Sequence, residues 1–472
     1  MTFIIRAPNS FCPERQYLAE LVFQDFLGQK FQIQFESRND WVIALSEAGG
    51  STIQFPDLFF QNAKAPLVDK IRWPNLPMRL TSANALGLPE NLGTLSIPYA
   101  LDGLPLIDYV PNKSGHQTCI CKIDIFGTLF FQATRYTEHV SFSNLPPSKE
   151  LEVLSHLPLS QLLIEMLRQI ISRLWQVDIQ PNREFEIFLS HDVDQPFGAY
   201  RRSMGRVLRG CARDFLIQKD SRLAWRRFKA KLKGSGEAAA KEDPFFTFDY
   251  LMTSSERWGL KSAFLFKAGV SDRAFDFEYE LDSGWARELF GEINRRGHEI
   301  GFHPSYRSFE DSHIFETELN KLKAFLRSNN LSHAQIGGRQ HYLGWRNPTT
   351  WRLWAKNGLQ WDSTLGYADR LGFRSGLCRP YRAYDLDERK PLSLIERPLI
   401  IMETALIHRL KLAPDEILSA IMKVAKIVHW LRGELTVLWH NTNVASQNHR
   451  NLYQKTLQEI SQLRSVRLQR PS

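Results

Sequence analysis

From Glu184 onward the chain repeats one pattern, a short apolar run followed by an amphipathic stretch of helical spacing. Runs at 184–191, 261–267, 298–303, 335–341, 359–363, 393–402 and 435–440 read as strands, because they are short, apolar and bounded by turn residues. Helical periodicity fills 246–258, 284–296, 309–328, 347–357 and 414–431, and again 447–463. A helix between two strands carries the chain back to the starting edge, so consecutive strands pair in parallel. Seven strands with mostly helical crossovers therefore imply a parallel sheet, open or closed into a barrel. Ser308-x-x-Asp311 and Pro348 mark helix starts, and Gly297 and Gly358 mark helix stops. The link at 364–392 is expected to be a long loop rich in Gly and Arg.

These strands end in chemistry. Ile187-Phe188-Leu189-Ser190-His191-Asp192-Val193-Asp194 is apolar until it closes on one imidazole and two carboxylates. Side chains alternate along a strand, so Asp192 and Asp194 share a side and His191 faces away. Two carboxylates one strand step apart repel unless a cation or a shared proton relieves them. Alone, the pair would read as a solvated turn before Pro196. Four further strand ends argue otherwise. They are Gly297-His298-Glu299-Ile300-Gly301-Phe302-His303 running on to Tyr306 and Arg307, Arg339-Gln340-His341-Tyr342, Asp362-Ser363-Thr364, and Leu438-Trp439-His440-Asn441. α/β proteins place their sites at such strand ends.

Residues 1–178 read as a mixed α+β domain. Strands are expected at 31–35 and 41–45 and helical stretches at 123–136 and 159–174, with Phe126, Phe130 and Tyr136 in the core. No residue there carries a chemical signature. The five cysteines are scattered, and Cys119-x-Cys121 has no second pair, which points to a reduced, cytoplasmic protein. The net charge of +9 is concentrated. Residues 201–233 hold 12 Lys/Arg against Asp214 and Asp220, so the remainder of the chain is near neutral. This basic insertion, 201–243, begins with Arg201 and runs to a Gly234-Ser235-Gly236 break, with Met204, Leu208, Phe215, Trp225 and Phe228 interleaved. It suits peripheral contact with an anionic membrane surface through 201–233, or a solvated linker. A nucleic-acid partner is not expected, because the rest of the chain is not basic.

Residues 179–472 resemble the polysaccharide deacetylase superfamily (NodB homology, carbohydrate esterase family 4). The aspartate pair of that family is matched by Asp192 and Asp194, its Gly-His-Glu-Ile-Gly-x-His run by Gly297 to His303, its arginine by Arg339 and its Leu-x-His by Leu438-Trp439-His440. Ser-His-Asp-Val-Asp and Phe-His-Pro-Ser-Tyr resemble phrases of a bacterial subgroup with an extra N-terminal domain and links to surface polysaccharide synthesis. The resemblance implies a distorted (β/α)7-type barrel behind an N-terminal mixed α+β domain. The implied activity is metal-dependent removal of an acetyl group from a saccharide.

The implied roles are specific. A divalent metal, zinc in expectation, would be held by Asp194 and His303, Asp192 would be the general base and His440 the general acid. Arg339 would hold Asp192, and Tyr342 or a backbone N–H near it would face the oxyanion. Tyr306 and Trp439 are candidates to stack on a sugar. Asp362 and Glu403 could orient His440 or an arginine, although a surface position suits Glu403 better. The family's second metal-binding histidine falls at Arg307, whose guanidinium stays protonated and cannot ligate. His341 is the favoured third ligand, with His191 the alternative. Hydrolysis of another C–N amide and an inert carbohydrate-binding relative remain as competing readings. Arg370, Arg374, Arg379 and Arg382 in the long loop, interleaved with Tyr367, Phe373, Tyr381 and Tyr384, suit either an acidic or phosphorylated glycan or plain packing.

Overall fold

The computed structural model describes residues 1–46, 49–62, 79–112, 114–139, 153–180, 183–200, 202–217, 219–234, 237–331 and 335–466. Arg201 and the Ser235–Gly236 pair lie outside the described residues. The architecture is mixed α/β. Its first part holds β1 (Thr2–Pro8), β2 (Lys30–Glu36), β3 (Asp40–Leu45), β4 (Thr52–Pro56), β5 (Arg79–Ser82), β6 (Thr94–Ile97), β7 (Ile107–Pro111) and β8 (Gln117–Cys121). Six of them form a mixed sheet in the order β2-β1-β3-β4-β8-β7, and β5 pairs with β6. Along β1 the inward residues Phe3, Ile5 and Ala7 are fully buried while Thr2, Ile4 and Arg6 between them are not, which is the alternation a one-sided sheet demands.

Helices Ile125–Ala133 and Leu159–Trp175 cover that sheet. The first is capped by Asp124, whose carboxylate accepts from Gly127 N and Phe59 N at 2.7 and 2.9 Å. Its Phe126 stacks on Trp41 at 4.1 Å, a core contact as its spacing suggested. Beneath helix Cys12–Ala19, the buried Arg15 holds Asp57 through two hydrogen bonds of 2.7 and 2.8 Å.

The second part holds β9 (Glu186–Val193), β10 (Ser262–Phe266), β11 (Glu299–Phe302), β12 (Trp361–Asp362), β13 (Tyr381–Asp385), β14 (Lys390–Glu396), β15 (Ile401–Met402) and β16 (Glu434–Leu438). A parallel sheet runs β11-β10-β9-β16-β15. Next to β11 the expected strand at 335–341 shrinks to one residue, Gly338, which bridges Phe302 on one side and Asp362 on the other. A Cβ at Gly338 would lie 1.8 Å from the Phe302 carbonyl oxygen, so only glycine lets the backbones approach this closely. β12 then pairs with β14, and the same chain continues through Pro398 into β15, which pairs with β16.

Two expectations are corrected here. The 364–392 link is not an open loop, because it contains β13, which returns antiparallel to β14 and docks on the N-terminal part. Tyr381 Oη donates to Ala133 O at 2.9 Å, Arg374 pairs with Glu138 at 2.6 Å and Arg382 with Glu20 at 3.0 Å. Arg374, Arg379 and Arg382 are thereby engaged in packing, not presented to a glycan, while Arg370 lies over Tyr367 and pairs with Asp369. The helix at Ser312–Ser328 is capped by Asp311, which accepts from His313 N and Ile314 N, while the Ser308 hydroxyl donates to Ser305 O. Gly297 and Gly358 do close helices in the left-handed conformation, at φ +71° and +74°.

The basic insertion folds as two packed helices, Met204–Leu216 and Ser221–Leu232. The buried Arg227 pins them, meeting Asp214 at 2.7 Å and the Gly198 carbonyl at 3.1 Å. No helix among the described residues is long and apolar enough to cross a membrane.

Candidate active site

The parallel strands deliver their polar ends into one cleft of about 260 Å³, lined by Asp192, Asp194, His303, His341, Tyr342 and His440 among others. Asp194 follows β9 directly and is the hub. Its Oδ1 lies 2.9 Å from His303 Nε2 and 3.3 Å from His341 Nε2, and its Oδ2 lies 3.5 Å from His440 Nε2. One ligand atom each from Asp194, His303 and His341 fall within 4.8 Å of one another. The far nitrogens of both rings are occupied. His303 Nδ1 donates to the Arg339 carbonyl at 2.6 Å, and His341 Nδ1 meets the buried Asp276 carboxylate at 2.8 Å. A carbonyl only accepts, so the His303 proton sits on Nδ1 and Nε2 is the nitrogen left to bind.

Asp192 projects to the same side as Asp194 and is buried. Arg339 is fully buried too, and its Nη1 donates to Asp192 Oδ1 at 2.7 Å. The remaining guanidinium donors reach Ser363 O, Ser363 Oγ and Ser190 Oγ at 2.8, 3.0 and 3.0 Å. His440 follows β16, and its Nδ1 faces Glu403 Oε1 at 2.8 Å while its backbone N–H donates to the same oxygen at 2.7 Å. Glu403 sits just after β15, fully buried, and also accepts from Asn443 Nδ2 at 2.7 Å.

The electrostatics follow from this crowding. Burial disfavours the Asp194 charge, but His341, His303 and His440 together hold its carboxyl well below the usual range. Burial likewise opposes protonation of His440, yet Glu403, Asp194 and Asp192 push its pKa up to about 10. His341 is raised by Asp194 and Asp276 against its own burial. Three imidazoles around one carboxylate is an arrangement that a divalent cation would satisfy better than protons alone.

Not every expected residue reaches the cleft. Trp439 is fully buried on the opposite side, packed on Tyr453 at 5.0 Å, because strand alternation that aims His440 at the site turns Trp439 into the core. His191 faces away as parity requires, bonded to Trp439 O at 2.7 Å and Ser262 Oγ at 3.2 Å. Tyr342 lines the cleft, 57% exposed, at φ +57°. Tyr306 stacks on Phe275 at 4.1 Å and stands edge-on to Tyr342 at 5.5 Å, forming an aromatic group beside the cleft. Arg307 is largely exposed and pairs with Asp272 at 2.8 Å, so it neither enters the cleft nor blocks it. Asp362 is buried on Thr364 and does not contact His440.

Two residues, Asp276 and Lys267, escaped the sequence reading, while Glu403, for which a surface position was favoured, instead takes the buried place behind His440. Asp276 lies in the loop after β10, accepts from Ser271 N, Asp272 N and Tyr306 N, and orients His341. Glu403 carries a charge that His440 stabilises against burial, which holds its carboxyl below the usual range. Lys267 follows β10 directly, is buried, and its ammonium makes no hydrogen bond. A polar residue at the end of β10 was the available signal for Lys267, whereas Asp276 had none.

A family model described as a family of unknown function, DUF7033, matches residues 3–145. No curated protein matches the chain. Among solved structures, a Mycobacterium smegmatis protein provisionally assigned as a polysaccharide deacetylase is similar at 16% identity. It covers 60% of this chain and 86% of its own, with a TM-score of 0.38. An allantoinase is similar at 9% identity over 59% of this chain and 84% of its own, with a TM-score of 0.37. A family 4 carbohydrate esterase from Streptomyces lividans, solved with acetate, is similar at 11% identity over 46% and 83%, with a TM-score of 0.28.

Proposed function

We propose that the chain is a metal-dependent hydrolase that removes an acetyl group from a saccharide, built on a distorted (β/α)7-type barrel. The observation that carries this reading is the Asp194, His303 and His341 cluster, with each imidazole turned by a hydrogen bond at its other nitrogen. One carboxylate oxygen and two imidazole nitrogens are a suitable donor set for a catalytic zinc ion, and ring orientation by carbonyls and carboxylates is how such ligands are fixed. Those three residues would hold the ion, with His341 in the place that Arg307 cannot fill. When bound, it would polarise the acetyl carbonyl and acidify a water molecule.

The other residues have separable tasks. Asp192 takes a proton from the attacking water at Oδ2, the oxygen that Arg339 does not grip, while Arg339 holds the carboxylate in place. Tyr342, or a backbone N–H near it, faces the oxyanion as the water adds to the acetyl carbon. His440, kept protonated by Glu403, gives its Nε2 proton to the leaving nitrogen as the C–N bond breaks, yielding acetate and a free amine. Tyr306, Phe275 and Tyr342 form a rim on which a sugar ring can stack.

The test pairs elemental analysis with acetate release from chitooligosaccharides and acetylated exopolysaccharide. Bound metal with acetate release is expected. Asp194→Asn is expected to lose both, and Asp192→Asn only the release. Release from other amides but not from sugars would favour a different C–N hydrolase, and saccharide binding without metal would favour an inert relative.

We place the chain in the cytoplasm, with its five cysteines free. The basic hairpin is proposed to touch an anionic membrane surface. Phe215, Leu216, Ile217, Trp225 and Leu232 are each 59% exposed or more among its lysines and arginines. Co-sedimentation with phosphatidylserine vesicles should fall in a Leu216→Glu, Ile217→Glu variant, and equal partitioning would remove the idea.

A further inference from the structure

The cleft does not stop at His440. A second cavity of about 310 Å³ adjoins it, and the two share His408, Thr442 and Asn443 as lining. The basic insertion supplies Arg202, Arg206, Arg213 and Arg227 to this cavity. Among the described lining residues the one carboxylate is Asp214, and Arg227 already grips it at 2.7 and 3.3 Å. Arg202, Arg206 and Arg213 form no ion pair among the described residues, and Asp243, the one carboxylate whose charge reaches Arg202, is already taken up by four backbone N–H groups. Arg202 shows what this means. Its Nε is buried and makes no hydrogen bond, and its guanidinium lies over the Phe277 ring at 4.7 Å. Burial, then repulsion from Arg227 and Arg206, holds its pKa below the ordinary arginine value. Buried donors of this kind are normally paired, because an unmatched charged group is costly.

We propose that this cavity is an anion subsite that receives a phosphoryl group carried by the saccharide substrate. A dianion matches the surplus charge, and guanidinium forks suit phosphate oxygens. A single carboxylate would leave most of the cations unanswered. The saccharide part of the proposal rests on the deacetylase reading, whereas the anion binding does not.

The experiment uses the full chain, treated with a chelator so that no anion can bind through a metal. Inorganic pyrophosphate, methyl phosphate and glucuronate are titrated calorimetrically into wild type, Arg202→Gln/Arg206→Gln, and Arg295→Gln as a surface control. Both phosphates should bind wild type and the control alike, more tightly than glucuronate, and about tenfold or more weakly to the double variant. Should the double variant fail to fold, Arg206→Gln alone, on an exposed face, serves in its place. Equal affinity in all three proteins, absent binding, or tighter glucuronate binding overturns the subsite. A second arm compares acetate release from saccharides with and without a phosphate monoester. Arg206→Gln should raise KM for the phosphorylated one only and leave kcat on the neutral one unchanged. If wild type releases acetate from neither while pyrophosphate still binds, the deacetylase reading fails and the subsite stands.

Discussion

Glu403→Gln isolates the charge that keeps His440 protonated. The amide retains an oxygen to accept from His440 Nδ1, His440 N and Asn443 Nδ2, so the geometry at 2.7–2.8 Å can persist while the charge is lost. Raising a histidine from 6.5 to about 10 corresponds to about 5 kcal/mol of net preference for the imidazolium. Among the carboxylates that produce it, Glu403 acts first, ahead of Asp194 and Asp192. Its removal should therefore lower the His440 pKa by at least ~2 units, about 2.7 kcal/mol. In metal-free protein labelled at histidine Cε1, NMR titration reads this directly. The general acid must be protonated to act, so the alkaline fall of kcat should move to lower pH in the variant. Linkage gives a second readout with a definite sign. A raised histidine stabilises the fold at pH below about 6.5 and loses that contribution as pH rises towards about 10. The variant should thus lose most stability, relative to wild type, at neutral and mildly acid pH. A His440 pKa that stays within half a unit of wild type would refute the role assigned to Glu403.

Other consequences are equally direct. Asp276→Asn leaves His341 in place but weakens the acceptor at its Nδ1, so metal affinity measured by chelator competition should fall about 10–100-fold with stoichiometry intact. Arg307→Gln should leave metal content and acetate release unchanged, and urea denaturation should show little loss from so exposed an ion pair. Asp57→Ala strands the buried Arg15 and removes the acceptor of Trp41 Nε1, so urea denaturation should show a loss of about 3–5 kcal/mol.

What the sequence made legible was whatever depends on local periodicity. Helices at Gly284–Arg295 and Ser312–Ser328 and strands such as Ser262–Phe266 follow from the spacing of their apolar residues. Parity put Asp192 and Asp194 on one side, and both line the cleft. The same parity applied to β16 would have turned Trp439 away from His440, and the proposed sugar contact there overlooked it. Glu403 was a candidate partner of His440, but its burial was unreadable because it follows a two-residue strand, too short for any alternation to mark its direction. Asp276 lies in the loop between β10 and the next helix, where only tertiary convergence brings it to His341. Arg374, Arg379 and Arg382 looked like the hairpin's arginines in sequence, and packing against the N-terminal part distinguishes them from Arg202, Arg206 and Arg213.

Arg339 sets the proposed base and the proposed metal ligands together. Its guanidinium grips Asp192, while its own backbone carbonyl fixes the His303 ring at 2.6 Å. The carbonyl survives any substitution, so a side-chain change at 339 touches Asp192 and spares the His303 ring. The neighbouring Gly338 makes this possible, since its close bridge to Phe302 and Asp362 holds residue 339 at the depth where both contacts form. His341, two residues on, inherits the same placement, which is how a histidine from this segment can stand beside Asp194 while the chain at Arg307 faces solvent. The Asp194, His303 and His341 cluster is thus fixed by one close backbone approach more than by the spacing of the run from Gly297 to His303.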